Sequence, residues 1–320
     1  MRQAGRYQRA YQTFRRRHSF EALCREPELS AKVALASIED FDFDAAILFS
    51  DLLFPLDAMG LGLTYEDDGP RLARRFSTST PITRSFDAIA ADLAFQAAAV
   101  AATRRQLPAS KGLIGFIGGP WTLFVYAVEG THKGSLARAK SSMALYRRFA
   151  RTIVPVLERV AAQQLAAGAD LVMVFDTAAG ELSPEVFRRH IVPDLTRLAD
   201  SAPGRLGYFA RGVHPAHFAD GQSLPGQAWA GHGFDWRWPL ADVLAKPGRH
   251  GFVQGNFDPA LLHLEGRQLS SAIDEFLAPL ASLHPDVRRG WICGLGHGVL
   301  PGTPESSVRA FVKTVRRRLA

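Results

Sequence analysis

The sequence predicts an α/β fold of the (β/α)8 TIM-barrel type, one domain over residues 1–320, and three observations predict it. Short apolar or β-branched runs recur along the chain with helix-patterned stretches between them. No hairpin turn signals join those runs, so successive strands are expected to lie parallel. The runs are apolar almost throughout, which requires both faces of the sheet to be covered. An open doubly wound sheet is the rival. No GxGxxG opens a helix after a first strand, so its dinucleotide-binding version has little support.

Taken in order, MRQAG is read as the end of a first strand that is truncated at the N-terminus, with the true start of the protein expected upstream of residue 1. The next run is AAILFS at 45–50, followed by a long connection at 55–80 that is placed to cover a barrel mouth. GLIGFI at 112–117, DLVMVF at 170–175 and RLGYFA at 205–210 come next. WAGHGFDW at 229–236, HGFVQGN at 250–256 and RGWICGLG at 289–296 complete a set of eight. Between the third and fourth runs, Phe149, Ile153, Val156, Val160 and Leu165 repeat at nearly helical spacing and end at Gly168, as a βαβ crossover requires. In the last segment Val308, Phe311, Val312, Val315 and Leu319 share one face behind Pro304, predicting a final outer helix.

Composition narrows the function classes. The chain has 320 residues, 47% of them hydrophobic, enough for a large core. No uncharged apolar run approaches the roughly 18 residues of a membrane helix, and no apolar stretch of the signal-peptide kind follows the basic N-terminus. Cys24 and Cys293 stand far apart without a Cys/His cluster, which argues against disulfides and structural zinc and for a reducing cytoplasm. The net charge of +7 comes mostly from scattered Arg with no aromatic-interleaved stripe, so an anionic small molecule is expected rather than nucleic acid.

In such a barrel the chemistry sits where strands end. Polar residues closing the runs are Asp51, Asp176 with Thr177, Arg211, Asp235, Asn256 with Asp258, and His297. An isolated Asp or Thr there is more often a helix cap, and an isolated His is more often structural. His297 stands between two glycines, which lets a ligand approach its ring. Arg2 and Arg6, four apart beside small residues, suit bidentate capture of carboxylates. The pair His214 and His217 lacks the Glu and spacing of a zinc motif and is read as a surface loop. Gln254, Asn256 and Asp258 are expected to secure their loop by Asx-type bonds.

Six blocks in order, MRQAGRY (1–7), FDAAILFSDLLFPLDAMGLGL (43–63), GFIGGPWTLFVYAVEG (115–130), VFDTAAGELSP (174–184), VQGNFDP (253–259) and GLGHGVLPGTPE (294–305), resemble the uroporphyrinogen decarboxylase family. The resemblance implies a cofactor-free, metal-free carboxy-lyase that turns the four acetates of uroporphyrinogen III into methyls, giving coproporphyrinogen III. It implies catalytic roles for Asp51, Arg2 and Tyr126, and substrate contacts from Arg2, Gln3, Ala4, Gly5, Arg6, Asp51, Tyr126, Thr177 and His297, with Arg15 as a further contact. It also implies a homodimer with facing clefts and no nucleic-acid or membrane partner. Gly294 stands where the family usually has Asn, and Ala178 where an aromatic is common. Two other readings are a tetrapyrrole-binding protein that has lost activity with its N-terminus and a cobalamin-linked methyltransferase of the same superfamily.

Overall fold

The structure, a computed structural model, describes residues 3, 7–66, 69–132, 134–218, 224 and 227–319. The strands among them are β1 (Ala45–Ile47), β2 (Leu63–Glu66), β3 (Gly69–Leu72), β4 (Gly112–Gly118), β5 (Leu171–Asp176), β6 (Leu206–Ala210), β7 (Trp229–Gly233), β8 (Phe252–Phe257) and β9 (Trp291–Leu295). Seven of them form one parallel sheet in the order β1-β4-β5-β6-β7-β8-β9, each lying on a run that the sequence marks as a strand. Strand β1 is shorter than its run: Leu48 N–H still bonds to Ile114 O at 2.9 Å, and the chain then leaves the sheet toward Asp51.

The expected absence of hairpins needs one correction. Within the 55–80 connection, β2 and β3 pair antiparallel, Leu63 opposite Leu72 and Glu66 opposite Gly69. These strands are four residues long and only partly buried, with Leu63 inward and Thr64 and Glu66 outward, so they carry no continuous apolar run.

Helices cover the sheet. The helix Met143–Ala166 buries Phe149, Ile153, Val156 and Val160, as its spacing predicts. Gly168, just beyond it, has φ +108°, a conformation that side-chain-bearing residues rarely adopt. The last helix, Glu305–Leu319, buries Val308 and Phe311 behind Pro304. Arg309 of that helix bonds to the carbonyl of Asp40, and Arg316 to the Asp44 carboxylate at 3.0 Å, fastening the end of the chain to the turn that feeds β1. This brings the two edge strands toward each other. Gln3 stands at the closing side, where a Cβ on Gly298 would fall 2.0 Å from Gln3 Oε1. The rest of the MRQAG run lies outside the described residues.

One stretch, Phe86–Gln106, is long and apolar enough by composition to cross a membrane. It is two helices, Phe86–Ala91 and Ala94–Gln106, and its charges are paired: Asp87 with Arg159, and Asp92 with Arg84. A second glycine is held by its neighbours. Gly119 opens the helix Pro120–Glu129, and a Cβ there would lie 2.5 Å from Cβ and Cγ of the buried Asp176. Gly119→Ala is therefore expected to lower stability by about 1–3 kcal/mol in denaturant melts, through overpacking against a side chain that has nowhere to move.

Candidate active site

A cavity of about 410 Å³ opens at the C-terminal ends of the strands. Its walls include Ala45 and Ile47 of β1, Phe116 of β4, Phe175 of β5 and His297 beyond β9, so both ends of the sheet's strand order meet around one space. Gln3, Asp51, Tyr126, His132 and Thr177 also line it. A larger and more open groove, about 630 Å³, lies on the outer face beside Arg84 and Arg148, where Arg148 is spent on the carbonyls of Ser77, Thr78 and Thr80.

Asp51 is the only acidic side chain among the described residues that line the cavity. Its Oδ1 accepts from Leu53 N–H at 2.8 Å, its one hydrogen bond among the described residues. Enclosure by protein pushes its pKa up to about 6, and the Leu53 amide only partly offsets this. Among the described residues no cation forms an ion pair with it. A poorly compensated carboxylate in an apolar-walled cleft is what a site for a cationic or N–H-rich ligand requires.

Asp176 and Thr177 end the same strand and serve different purposes. Asp176 is fully buried, and its Oδ1 accepts from Thr122 N–H at 3.0 Å and Thr122 Oγ1–H at 2.6 Å. Its Oδ2 accepts from the Tyr208 hydroxyl at 3.2 Å. It thus caps the helix Pro120–Glu129 from a neighbouring strand, which leaves Thr177 to face the cavity. Burial raises the Asp176 pKa to about 6 as well, against the pull of these donors.

The helix that Asp176 caps carries Tyr126, whose hydroxyl shares a hydrogen bond with Nδ1 of His132 just beyond the helix end. The two rings pack at 5.3 Å between centroids. His297 is flanked by Gly296 and Gly298 and packs against Phe209 with ring centroids 6.0 Å apart. Among the other strand-end candidates, Arg211 is exposed and Asp235 is structural. Asp235 is fully buried and accepts from Gly212 N–H at 2.7 Å and from Arg237 Nη1 at 2.6 Å.

The structure therefore brings Gln3, Asp51, Tyr126, Thr177 and His297 to one cavity. The sequence profile described as uroporphyrinogen decarboxylase (URO-D) matches residues 1–318. The chain belongs to the uroporphyrinogen decarboxylase family. A uroporphyrinogen decarboxylase of Anaeromyxobacter dehalogenans is 36% identical, with 98% of this chain and 92% of that protein covered. One of Solibacter usitatus is 34% identical over 99% of this chain and 91% of its own length. Among solved structures, a methyltransferase from Methanosarcina mazei superposes with a TM-score of 0.72 at 19% identity, covering 92% of this chain and 87% of that one. At that identity the likeness concerns the fold alone.

Several decarboxylase-family expectations fall elsewhere. Arg2, Ala4, Gly5 and Arg6 lie outside the described residues. Arg15 ends the helix Arg9–Arg15, donates to His18 O at 2.7 Å and does not line the cavity. Of the three residues read as Asx-type, only Asp258 behaves so, accepting from Ala260 N–H at 2.9 Å. Asn256 instead donates to Asp235 O and Trp238 O, both at 2.8 Å, and Gln254 donates to Leu295 O at 3.0 Å, so both bind strand ends together. His217 is buried rather than on a surface loop: its Nε2 donates to Leu182 O at 3.0 Å and its Nδ1 accepts from His214 N–H at 2.9 Å. The two positions that depart from the family pattern each meet a neighbouring side chain. Gly294 faces Gln254 Nε2, and the Ala178 carbonyl accepts from Trp121 Nε1 at 3.1 Å. His132 is a titratable cavity residue that nothing in the sequence singles out. A His two residues past the helix-ending Gly130 has no periodic pattern to mark it.

Proposed function

We propose that the chain removes the four acetate carboxyls of uroporphyrinogen III as CO2, leaving methyl groups and yielding coproporphyrinogen III, with no cofactor. The observation that carries this is Asp51: the one carboxylate among the described cavity residues, its pKa pushed up by burial, beside Tyr126, Thr177 and His297. Loss of CO2 from an acetate would leave a carbanion on the pyrrole methylene, which needs an electron sink. The pyrrole serves as that sink. Protonation at a ring carbon makes an iminium-like centre, the C–C bond electrons flow into it as CO2 departs, and the methylene is then protonated as the ring proton is lost. Each acetate consumes one proton net.

Asp51 accepts from the four pyrrole N–H groups and balances the cationic intermediate. Tyr126 orients the reacting carboxylate, Thr177 and His297 donate to other carboxylates, and Arg2, with Gln3 to Arg6, grips the acidic arms. Arg15 reaches the same arms only if its helix shifts. In this reading residues 1–320 form one domain of the closed (β/α)8 type, and the enzyme works as a cytoplasmic homodimer with facing clefts. The decarboxylase relatives, which span nearly the whole chain, support this over a methyltransferase or a mere tetrapyrrole binder. The test is anaerobic incubation with uroporphyrinogen III, with mass spectrometry of the products. Four successive CO2 losses are expected; unchanged substrate would refute the reaction.

A further inference from the structure

Every decarboxylation takes up a proton, while the cavity wall is mostly apolar: Phe49, Phe116 and Phe175 line it together with Asp51. Asp51 is suited to hold positive charge, and a group that keeps its own negative charge to do so does not also deliver protons. A second titratable group is required, in contact with both the cavity and solvent. His132 and Tyr126 together meet that description. The Tyr126 hydroxyl and the His132 ring both line the cavity, the two are hydrogen-bonded through Nδ1, and His132 is exposed.

We propose that His132 and Tyr126 form a proton relay that supplies the decarboxylation from solvent, with His132 as its acid. The proposal rests on the decarboxylase reading above. The imidazolium gives its Nδ1 proton to Tyr126 Oη as Tyr126 passes its own hydroxyl proton to the substrate carbon. This leaves a neutral imidazole protonated at Nε2 whose Nδ1 accepts from the restored Tyr126 hydroxyl; when that bond opens, the exposed ring takes a proton from solvent at Nδ1. Charge balances: the imidazolium loses one proton and the substrate gains one, matching the proton that replaces CO2. A tyrosine in this position without the histidine would have to draw each proton from the cavity itself.

Among the described residues, the charged and titratable groups near His132 come from three places. On its own segment these are Tyr126 and Glu129, the latter accepting from Ala139 N–H at 3.0 Å. From the segment after β3, the Arg75 guanidinium lies over Gly130. Across the cavity stand Asp51 and His297.

The test is His132→Gln, which keeps a hydrogen-bond partner for Tyr126 but cannot carry a proton. Expected is a fall in kcat of about 100-fold with KM within about two-fold. A relay through His132 predicts that kcat of the parent enzyme declines toward high pH, that this decline disappears in His132→Gln, and that added imidazole restores part of the rate. A kcat profile superimposable on that of the parent enzyme would overturn the relay. A second readout needs no turnover: in protein carrying 13Cζ-labelled tyrosine, the Tyr126 resonance, assigned by Tyr126→Phe, should move as His132 titrates and stop moving in His132→Gln. A Tyr126 signal indifferent to the substitution would overturn the coupling even if the parent enzyme proved inactive on uroporphyrinogen, an outcome that would separately sink the proposed reaction.

Discussion

Asp51→Asn is expected to lower kcat by about 10²- to 10³-fold while making the folded protein more stable. The two effects share one cause. Burial raises the Asp51 pKa from 3.8 to about 6, so the folded state holds this proton more tightly than the unfolded chain. The ionised carboxylate therefore costs stability, fully above pH 6, and the cost is relieved as pH falls from about 6 toward 3.8. The shift of about two units sets a ceiling of about 3 kcal/mol, reduced by whatever water in the cavity contributes. Asparagine removes that cost and keeps the bond from Leu53 N–H. In the unsubstituted enzyme, the carboxylate is the working form, so kcat/KM should fall as pH drops through about 6, and that acid limb should be absent from Asp51→Asn. Thermal melts and steady-state rates across pH 5–8 check both arms; lower stability with full turnover would contradict them.

Asp176→Ala is expected to act in the opposite sense on stability, destabilising the fold by about 2–4 kcal/mol. Asp176 has the same raised pKa of about 6 and the same position at a strand end, yet it is surrounded by donors. Its removal strands Thr122 N–H, the Thr122 hydroxyl and the Tyr208 hydroxyl in a buried site. Orphaned donors cost about 1–3 kcal/mol each, which together exceed the roughly 3 kcal/mol recovered by removing a buried charge. Chemical denaturation measures the difference. Activity should fall only as far as the helix carrying Tyr126 loses its cap, and an Asp176→Ala protein as stable as the parent would show that the cap is not made.

These two aspartates also mark what the sequence could and could not reveal. Buried parallel strands announce themselves, because covering both faces forces apolar runs such as GLIGFI and DLVMVF, and seven of them lie in the sheet where the runs fall. The β2–β3 hairpin was hidden because its half-exposed residues alternate over only four positions. Asp51, Asp176 and Asp235 look alike in sequence, each a carboxylate closing an apolar run. Only the donors around them separate a side chain that fastens two elements from one left facing a cavity. The same holds for His217, which reads as a loop histidine and is a buried clamp, and for His132, which lies beyond any periodic signal and joins the site through Tyr126. The family blocks singled out Asp51, Tyr126, Thr177 and His297, and their meeting in one space is what the geometry adds.

The most direct measurement is a crystal structure of the chain with coproporphyrinogen III bound under anaerobic conditions. The macrocycle should sit with its four pyrrole nitrogens turned to the Asp51 carboxylate at hydrogen-bonding distance, about 2.7–3.2 Å, and with its acidic arms directed away from it. A ring bound outside this cavity, or one that presents its carboxylates to Asp51, would contradict the account.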